Sequence, residues 1–388
     1  MLGPAEYAVV AAAVAALYIL NLPAVVVQIV SARYTSIAAG RQKLGSIPGV
    51  LLQVSGIGLA LGLVLSAALL ILSGPLSGYL QISDRRVIVT LAIASIMAML
   101  VAATRGALQG LRRFVALSIN NVLDTTMRVI SGAGLILAGL GALGGVIALV
   151  VGPAIAYAQS LLLFGSLRGQ DVEARTPIAE VGRYAAMSAI GAIGTTYLFN
   201  IDVVLSKHYL PAVAAGIYAA ASILGRVVYF LGITVSQVMF PEVATLHARD
   251  EPHFHVVDLS LGLLGAVAVG LTIVYAALPG LVVLPFGAAF APVRGYLWPF
   301  AIALGLLAIS NLLINYFLSI GSARFSLPLL GACLLETVLI VSFHASVGQV
   351  LAMVLISMSL LAVVLVVIYL VERFSVKGGP RKTQLESA

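Results

Sequence analysis

Three polar side chains lie one helical turn apart inside an apolar stretch that is long enough to cross a membrane. The stretch from Phe114 to Leu140 carries Asn120, Asp124 and Arg128. Because their spacing is i, i+4, i+8, they share one face of a helix. At about 1.5 Å per residue, Asp124 lies roughly 15 Å from Phe114, near the middle of a ~30 Å hydrocarbon core. An ionisable residue there is costly, so it must face a partner or a water-filled cavity.

Similar groups recur in the second half of the chain. Arg226 lies near the middle of its own apolar span and shares a helical face with Tyr218 and Tyr229. Glu336 has a similar depth in a later span, and Asp202 lies nearer the outer surface. Both halves therefore contribute polar groups, as a central polar cavity between them requires.

A purely structural role is the alternative for each group. Asp124 with Arg128, and Arg226 with Glu336, can be ion pairs that only hold the helices together. Asparagine and threonine in membrane helices commonly join helices instead of binding a ligand. These alternatives stay open at the level of the sequence.

The composition identifies the environment of these residues. Of 388 residues, 61% are hydrophobic and 9% are charged, and the mean hydropathy is +1.13. A soluble domain has about 25% charged residues. The net charge of +7 comes from short loops between apolar runs, so it indicates membrane topology and no nucleic-acid partner. We therefore expect a multi-pass integral protein of the cell membrane, whose lipids surround it.

The expected fold is all-α and polytopic, with eleven transmembrane helices of about 20 residues each. The predicted spans are 7–30, 48–72, 87–103, 114–140, 146–166, 184–206, 215–238, 257–278, 296–318, 326–343 and 347–371.

Basic residues in alternate loops predict the orientation. One set of loops holds most of them: Arg33, Arg41, Lys43, Arg105, Arg112, Arg113, Arg168, Arg175, Arg183, Arg249, Arg324, Arg373, Lys377, Arg381 and Lys382. The other set holds only Arg85, Arg86, Lys207 and Arg294. The positive-inside rule places the first set, and the C-terminus, in the cytoplasm.

Met1 then lies outside, which suggests that one upstream helix is missing and that the complete array has twelve. Twelve spans predict two six-helix halves. We expect an N-terminal half over 1–178, with five spans present, and a C-terminal half over 179–388 with six spans and a basic tail. Leu2 to Gln28 and Leu210 to Gln237 share a weak pattern that is consistent with parallel repeats.

Catalysis is disfavoured, so we do not expect an enzyme. No Lys follows a Gly, which excludes a Walker A loop, and no Asp-x-Asp pair is present to hold a metal–nucleotide sugar. No outer loop is long enough for a catalytic domain. No cofactor and no metal site are predicted.

Several short motifs resemble those of the polysaccharide (O-antigen-type) flippases in the multidrug/oligosaccharidyl-lipid/polysaccharide (MOP) exporter superfamily. They are LGPAEY at Leu2 to Tyr7, ALQGLRRF at Ala107 to Phe114, the stretch from Asn200 to Tyr218, Phe240-Pro241, and PFG at Pro285 to Gly287. The resemblance spans nearly the whole chain through loose motifs, and the chain departs from the family in lacking its first helix.

The resemblance implies a flippase that moves a polyprenyl-diphosphate-linked oligosaccharide to the outer leaflet for cell-surface polysaccharide synthesis. Its coupling ion would be H⁺ or Na⁺, and its protein partners would be a glycan polymerase or glycosyltransferases. Guanidinium groups bind phosphate well, and amides and phenols can meet sugar hydroxyls. The predicted substrate-binding residues are Arg128, Arg226, Asn120, Asn121, Tyr218 and Tyr229. The acids predicted to orient the arginines or carry a coupling proton are Asp124, Asp202 and Glu336.

Three rival functions are distinguishable. A cation-coupled multidrug exporter of the same superfamily needs acids for a cationic drug, whereas here the embedded arginines roughly cancel the acids. A glycan ligase or polymerase needs outer catalytic loops. A non-transporting membrane scaffold for glycan assembly gains weight if the missing helix is truly absent.

Overall fold

The computed structural model describes residues 21–42, 44–75, 84–164, 177–284 and 288–378, and in these ranges all regular structure is helical. Helices suit an apolar chain in lipid because each satisfies its backbone hydrogen bonds internally. Two of the motifs above, Leu2 to Tyr7 and Pro285 to Gly287, lie outside the described residues. So do the first part of the first predicted span and the tail beyond residue 378.

The described residues form two compact units, one within Met1–Ala192 and Ala244–Glu251, the other within Ile193–Val243 and Pro252–Ala388. We call them unit 1 and unit 2. Their helices are α1 Leu22–Gly40, α2 Ile47–Ile71, α3 Arg85–Gly110, α4 Phe114–Leu135, α5 Gly141–Phe164, α6 Ile178–Leu198, α7 Ile201–Tyr209, α8 Ala212–Ala248, α9 Phe254–Ala277, α10 Pro279–Val283, α11 Leu297–Ile320, α12 Ser326–Ser342 and α13 Val347–Gly378. Short 3-10 segments cover Leu44–Ser46 and Ala288–Tyr296.

In unit 1, α3 packs against α1, α2 and α5, and α4 packs along α5. Small residues allow the close approach of α1 and α3. A Cβ built on Gly110 would lie 2.5 Å from the Ala32 carbonyl oxygen, and Ser31 Oγ donates to the Ala103 carbonyl oxygen at 2.6 Å. This is the small-xxx-small packing of membrane helices, because Gly106 and Gly110 both lie on that face.

A break separates α4 from α5. The helical stretch Phe114–Phe164 runs for 51 residues, but Gly139 has φ +89° and Gly141 has φ +51°. Those values favour glycine, so the chain turns there. The break falls between the predicted spans 114–140 and 146–166.

In unit 2, α11 packs against α9 and α13, and α12 packs against α13 and α7. Helix α11 is the most enclosed: Phe300, Leu307 and Phe317 are fully buried. It ends at Gly321, whose φ of +76° closes the last turn in the left-handed conformation.

The expected all-helical, multi-pass fold is confirmed. Nine stretches in the described residues are long and apolar enough to cross a membrane, and α12 is a shorter apolar helix. Since the 51-residue stretch contains two arms, eleven helical segments overlap the eleven predicted spans. Leu162 and Leu327 are 82% and 81% exposed, as suits side chains that face lipid.

Several basic residues assigned to loops lie in helices, and Arg33 and Arg105 are two of them. Arg33 is within α1, which continues past the predicted span to Gly40, and Arg105 is within α3, five residues before its end. The loop prediction was wrong for both because apolar periodicity cannot locate a charged side chain that turns inward near a helix end. Because Arg105 lies within α3, its side chain can reach Asp124 of α4.

Candidate functional site

Asp124 is the centre of a polar cluster in unit 1 and is 4% exposed. From its own helix, Arg128 Nε reaches Asp124 Oδ1 at 2.6 Å and Arg128 Nη2 reaches Oδ2 at 3.0 Å. From α3, Arg105 Nη2 reaches Oδ2 at 2.8 Å. One carboxylate therefore holds two guanidinium groups, and we call these three residues the Asp124 cluster.

Arg105 is the member of the cluster that the sequence did not reveal. Its Nε also donates to Asn120 Oδ1 at 2.7 Å, so it links α3 to two residues of α4. The i, i+4 spacing finds partners on one helix only. The available signal was Asp124 itself. A buried carboxylate whose arginine partner is partly exposed is stabilised by a second cation, and a neighbouring helix can supply one.

The two predicted asparagines have different environments. Asn120 is fully buried, and its Nδ2 lies 2.7 Å from both the Ala156 carbonyl oxygen and Gln159 Oε1, and 3.0 Å from Ser160 Oγ. Its polar atoms are thus used in joining α4 to α5 and α3. Asn121 is exposed on another face of α4, and the structure does not bring it to the cluster.

A cavity of about 170 Å³ opens beside the cluster. Its polar lining consists of Asn21, Gln28, Arg105, Asp124 and Arg128, and its apolar lining comes from α1, α3 and α5. Two guanidinium groups and one carboxylate leave a net charge of +1 on this wall. The cavity can therefore accept an anionic group with polar substituents.

Helix α5 packs closely against Asp124 and Arg128 at Gly152. A Cβ built on Gly152 would lie 2.6 Å from Asp124 Oδ1 and 2.6 Å from the Asp124 carbonyl oxygen. Only glycine leaves room there. The next residue, Pro153, lines the cavity and lacks the N–H that would bond the Leu149 carbonyl in a regular helix. Leu149 lines the cavity too.

Unit 2 has a polar centre with the opposite balance. Tyr218 of α8 is fully buried and donates from its hydroxyl to Asp202 Oδ2 at 2.8 Å. Glu336 of α12 is 0% exposed, and neither of its carboxyl oxygens has a hydrogen-bond partner among the described residues. Asp202 Oδ1 also has none there. The two carboxyl groups are close enough to interact electrostatically. We call Asp202, Tyr218 and Glu336 the acidic cluster.

Arg226 does not pair with Glu336, so that proposed ion pair is wrong. Its Nη2 donates to the Phe199 carbonyl oxygen at 2.9 Å, with Asn200 Oδ1 at 3.3 Å. Its guanidinium carbon lies 4.2 Å from the Phe199 ring centroid, which is a cation–π contact. Tyr229 packs its ring on Phe199 at 4.6 Å. Arg226 thus occupies the break between α6 and α7, where unpaired carbonyls are available.

Comparison with known proteins identifies the fold. No protein-family model and no curated protein matches the chain. Among solved structures, an outward-facing multidrug resistance MATE family transporter of the MOP superfamily matches 98% of this chain and 90% of its own, at TM-score 0.83 and 12% identity. A MATE protein in the straight conformation covers 97% and 90% at TM-score 0.79 and 12% identity. The eukaryotic MATE transporter AtDTX14 covers 95% and 88% at TM-score 0.72 and 17% identity.

These similarities are of fold, since all three identities are low. The structural neighbours are MATE family transporters of the MOP superfamily, the superfamily that the sequence motifs resemble. The more specific likeness to polysaccharide flippases stays a prediction.

Proposed function

We propose that this chain is a secondary transporter that moves an anionic, lipid-linked solute, of the polyprenyl-diphosphate-linked oligosaccharide class, from the inner to the outer leaflet. The observation that carries the proposal is the net positive wall of the unit 1 cavity. Burying a charged headgroup in hydrocarbon without partners costs many kcal/mol, and a polar cavity removes much of that barrier.

In this proposal, Arg105 and Arg128 receive the phosphate. Guanidinium groups offer several donors in a fixed plane, which suits phosphate oxygens. Asp124 engages part of each group and so fixes their orientation while leaving other N–H groups for the substrate. Asn21 and Gln28 line the same cavity and can meet sugar hydroxyls. Asn120 then acts as a positioning residue.

The acidic cluster would serve the coupling ion. Among the described residues, these two buried carboxyl groups form no ion pair with a cation, and such a site favours H⁺ or Na⁺ when either is supplied. Loading and release of that ion would bias the movement of the two predicted halves, 1–178 and 179–388, between inward and outward access.

Reconstitution tests the proposal directly. Purified protein in liposomes is given a polyprenyl-diphosphate-linked oligosaccharide, and the glycan exposed to a membrane-impermeant oxidase is followed over time. We expect Arg128→Gln to slow exposure at least tenfold and Arg128→Lys to retain part of it, because lysine keeps the charge without the planar fork. Arg86→Gln is the matched control, since Arg86 pairs with Asp84 at 74% side-chain exposure outside the cavity. Equal rates in all three variants and wild type would exclude the anion site.

A multidrug exporter is the second candidate. Two observations favour it. The solved neighbours named above include a multidrug resistance transporter. The acidic cluster has buried carboxyl oxygens without hydrogen-bond partners among the described residues, and a cationic drug can bind such groups. The same liposomes loaded with ethidium distinguish the two. Ethidium export that needs Glu336 and ignores Arg128, together with no glycan movement, would replace the flippase with the exporter.

A further inference from the structure

A cavity of about 450 Å³ lies between Arg324 and the last turns of α13, and it shares no lining residue with either polar centre. Its other lining residues are Val367, Ile368, Val371, Glu372 and Ser375. By the loop charges, this is the end of the helix expected at the cytoplasmic membrane surface.

The lining changes from apolar to polar along the helix. Val367, Val371 and Ser375 are spaced by four residues, so they share one face over about 12 Å of helix. Val367 and Val371 are 52% and 61% exposed. Polar groups occur only at the end that approaches the surface. This order matches the boundary between lipid chains and headgroups.

The charged pair at that end is loosely engaged. Arg324 Nη1 lies 3.4 Å from Glu372 Oε2, longer than the 2.7–2.9 Å usual for a charge-assisted hydrogen bond. The Arg324 side chain is 59% exposed and that of Glu372 18% exposed. Glu372 Oε2 is buried without a hydrogen-bond partner among the described residues. A ligand with both charges can satisfy the guanidinium and the carboxylate together.

We propose that this cavity binds one zwitterionic phospholipid with a primary ammonium group. Arg324 binds the phosphate, Glu372 accepts hydrogen bonds from the ammonium, and the acyl chains lie along Val367 and Val371. A choline headgroup has no N–H to donate, and a glycerol headgroup has no positive charge to place beside Glu372. The site is independent of the transport proposal.

Native mass spectrometry of the full chain, stripped of lipid and titrated with one lipid at a time, tests this. We expect phosphatidylethanolamine to bind about tenfold more tightly than phosphatidylcholine or phosphatidylglycerol of the same chains. That ratio is the size of one charge-assisted hydrogen bond. Glu372→Gln should abolish the preference for the ammonium headgroup, and Arg324→Gln should weaken binding of all three lipids.

Two further variants make the test decisive. Val371→Trp fills the apolar part of the cavity without touching the charges, so it should remove one bound lipid. Arg86→Gln changes another exposed arginine–carboxylate pair, in which hydrogen bonds from Arg86 lower the pKa of Asp84, and it should change nothing. Equal affinity for the three headgroups in wild type, or a preference that survives Glu372→Gln in a folded protein, would overturn the proposal.

Discussion

The polar centres of the two units use carboxylates in opposite ways. In unit 1, Asp124 is bound by two arginines, and the Asp124 cluster as a whole carries a surplus of one positive charge. In unit 2, Asp202 accepts a hydrogen bond from Tyr218, and the carboxyl oxygens of Glu336 have no hydrogen-bond partner among the described residues. Arg226 donates to the Phe199 carbonyl oxygen and to Asn200 and forms no ion pair with either acid in that part of the chain. A carboxylate that is bound by two cations stabilises the structure and positions those cations. Two carboxyl groups that form no ion pair can still bind a mobile ion. The comparison predicts that similar substitutions should have different effects in the two units.

Removing Asp124 should have the largest effect on stability. Asp124→Ala leaves Arg105 and Arg128 without their counter-ion, and breaking a buried pair in this way costs about 3–5 kcal/mol. The measurement is unfolding by SDS titration in mixed micelles. Asp84→Asn, at an exposed pair, should change the midpoint little. An unaltered midpoint in Asp124→Ala would mean that the cluster is not structural.

The two arginines should differ from each other. Arg105→Gln removes a bond to Asp124 and one to Asn120 from a side chain that is 17% exposed, so we expect a loss of about 3 kcal/mol. Arg128→Gln removes an i, i+4 pair whose arginine is 33% exposed, and about 1 kcal/mol should be lost. The same SDS titration compares them. Equal losses would show that the ion pair between α3 and α4 contributes no more to the free energy of unfolding than the pair within α4.

Crowding behind Asp124 should be detectable with one methyl group. Gly152→Ala forces Asp124 or Arg128 to move and should cost about 2 kcal/mol. Gly134→Ala on α4 is the matched control, because its Cβ meets nothing within 4 Å. Alanine there should stabilise the helix by about 0.5–1 kcal/mol. If both variants have the same midpoint, the close approach of α5 to the cluster is not rigid.

The acidic cluster should give the smallest effect on stability. Glu336→Gln removes a charge that has no cationic partner among the described residues, so the unfolding midpoint should be unchanged or raised. Transport driven by an H⁺ or Na⁺ gradient in liposomes should nevertheless fall at least tenfold. A variant that is as unstable as Asp124→Ala, or one that remains fully coupled to both gradients, would remove the distinction between the two centres.

The sequence predicted the helical segments and the pair Asp124–Arg128, because both depend on neighbours in the chain. A run of about 20 apolar residues indicates a span, and an i, i+4 spacing places two side chains together. It did not predict that Arg105 binds Asp124 or that Arg226 turns to Phe199. Those contacts depend on which helices pack together and on which carbonyls a helix break leaves free.

Asn120 and Asn121 show the same limit at one position. They are adjacent and chemically identical, yet Asn120 is fully buried among three helices and Asn121 is exposed. A single helical step of about 100° separates the two environments. Spacing relative to Asp124 favoured Asn120 slightly, but only the positions of α3 and α5 distinguish a residue that joins helices from one at the surface.

The sequence by itself therefore determined the class of the protein: a multi-pass, all-helical membrane protein with ionisable groups inside its apolar helices. Hydrophobicity and helical spacing are local properties, and lipid leaves few alternatives to helices. Only the tertiary structure decided how the charges are distributed. The packing of α3 beside α4 brings Arg105 to Asp124 in unit 1, with Gly152 of α5 in close contact with Asp124, whereas no described residue forms an ion pair with Glu336 in unit 2. The charge balance of each polar centre depends on such contacts between helices. The contacting residues are far apart in the sequence, so no local pattern along the chain predicts them.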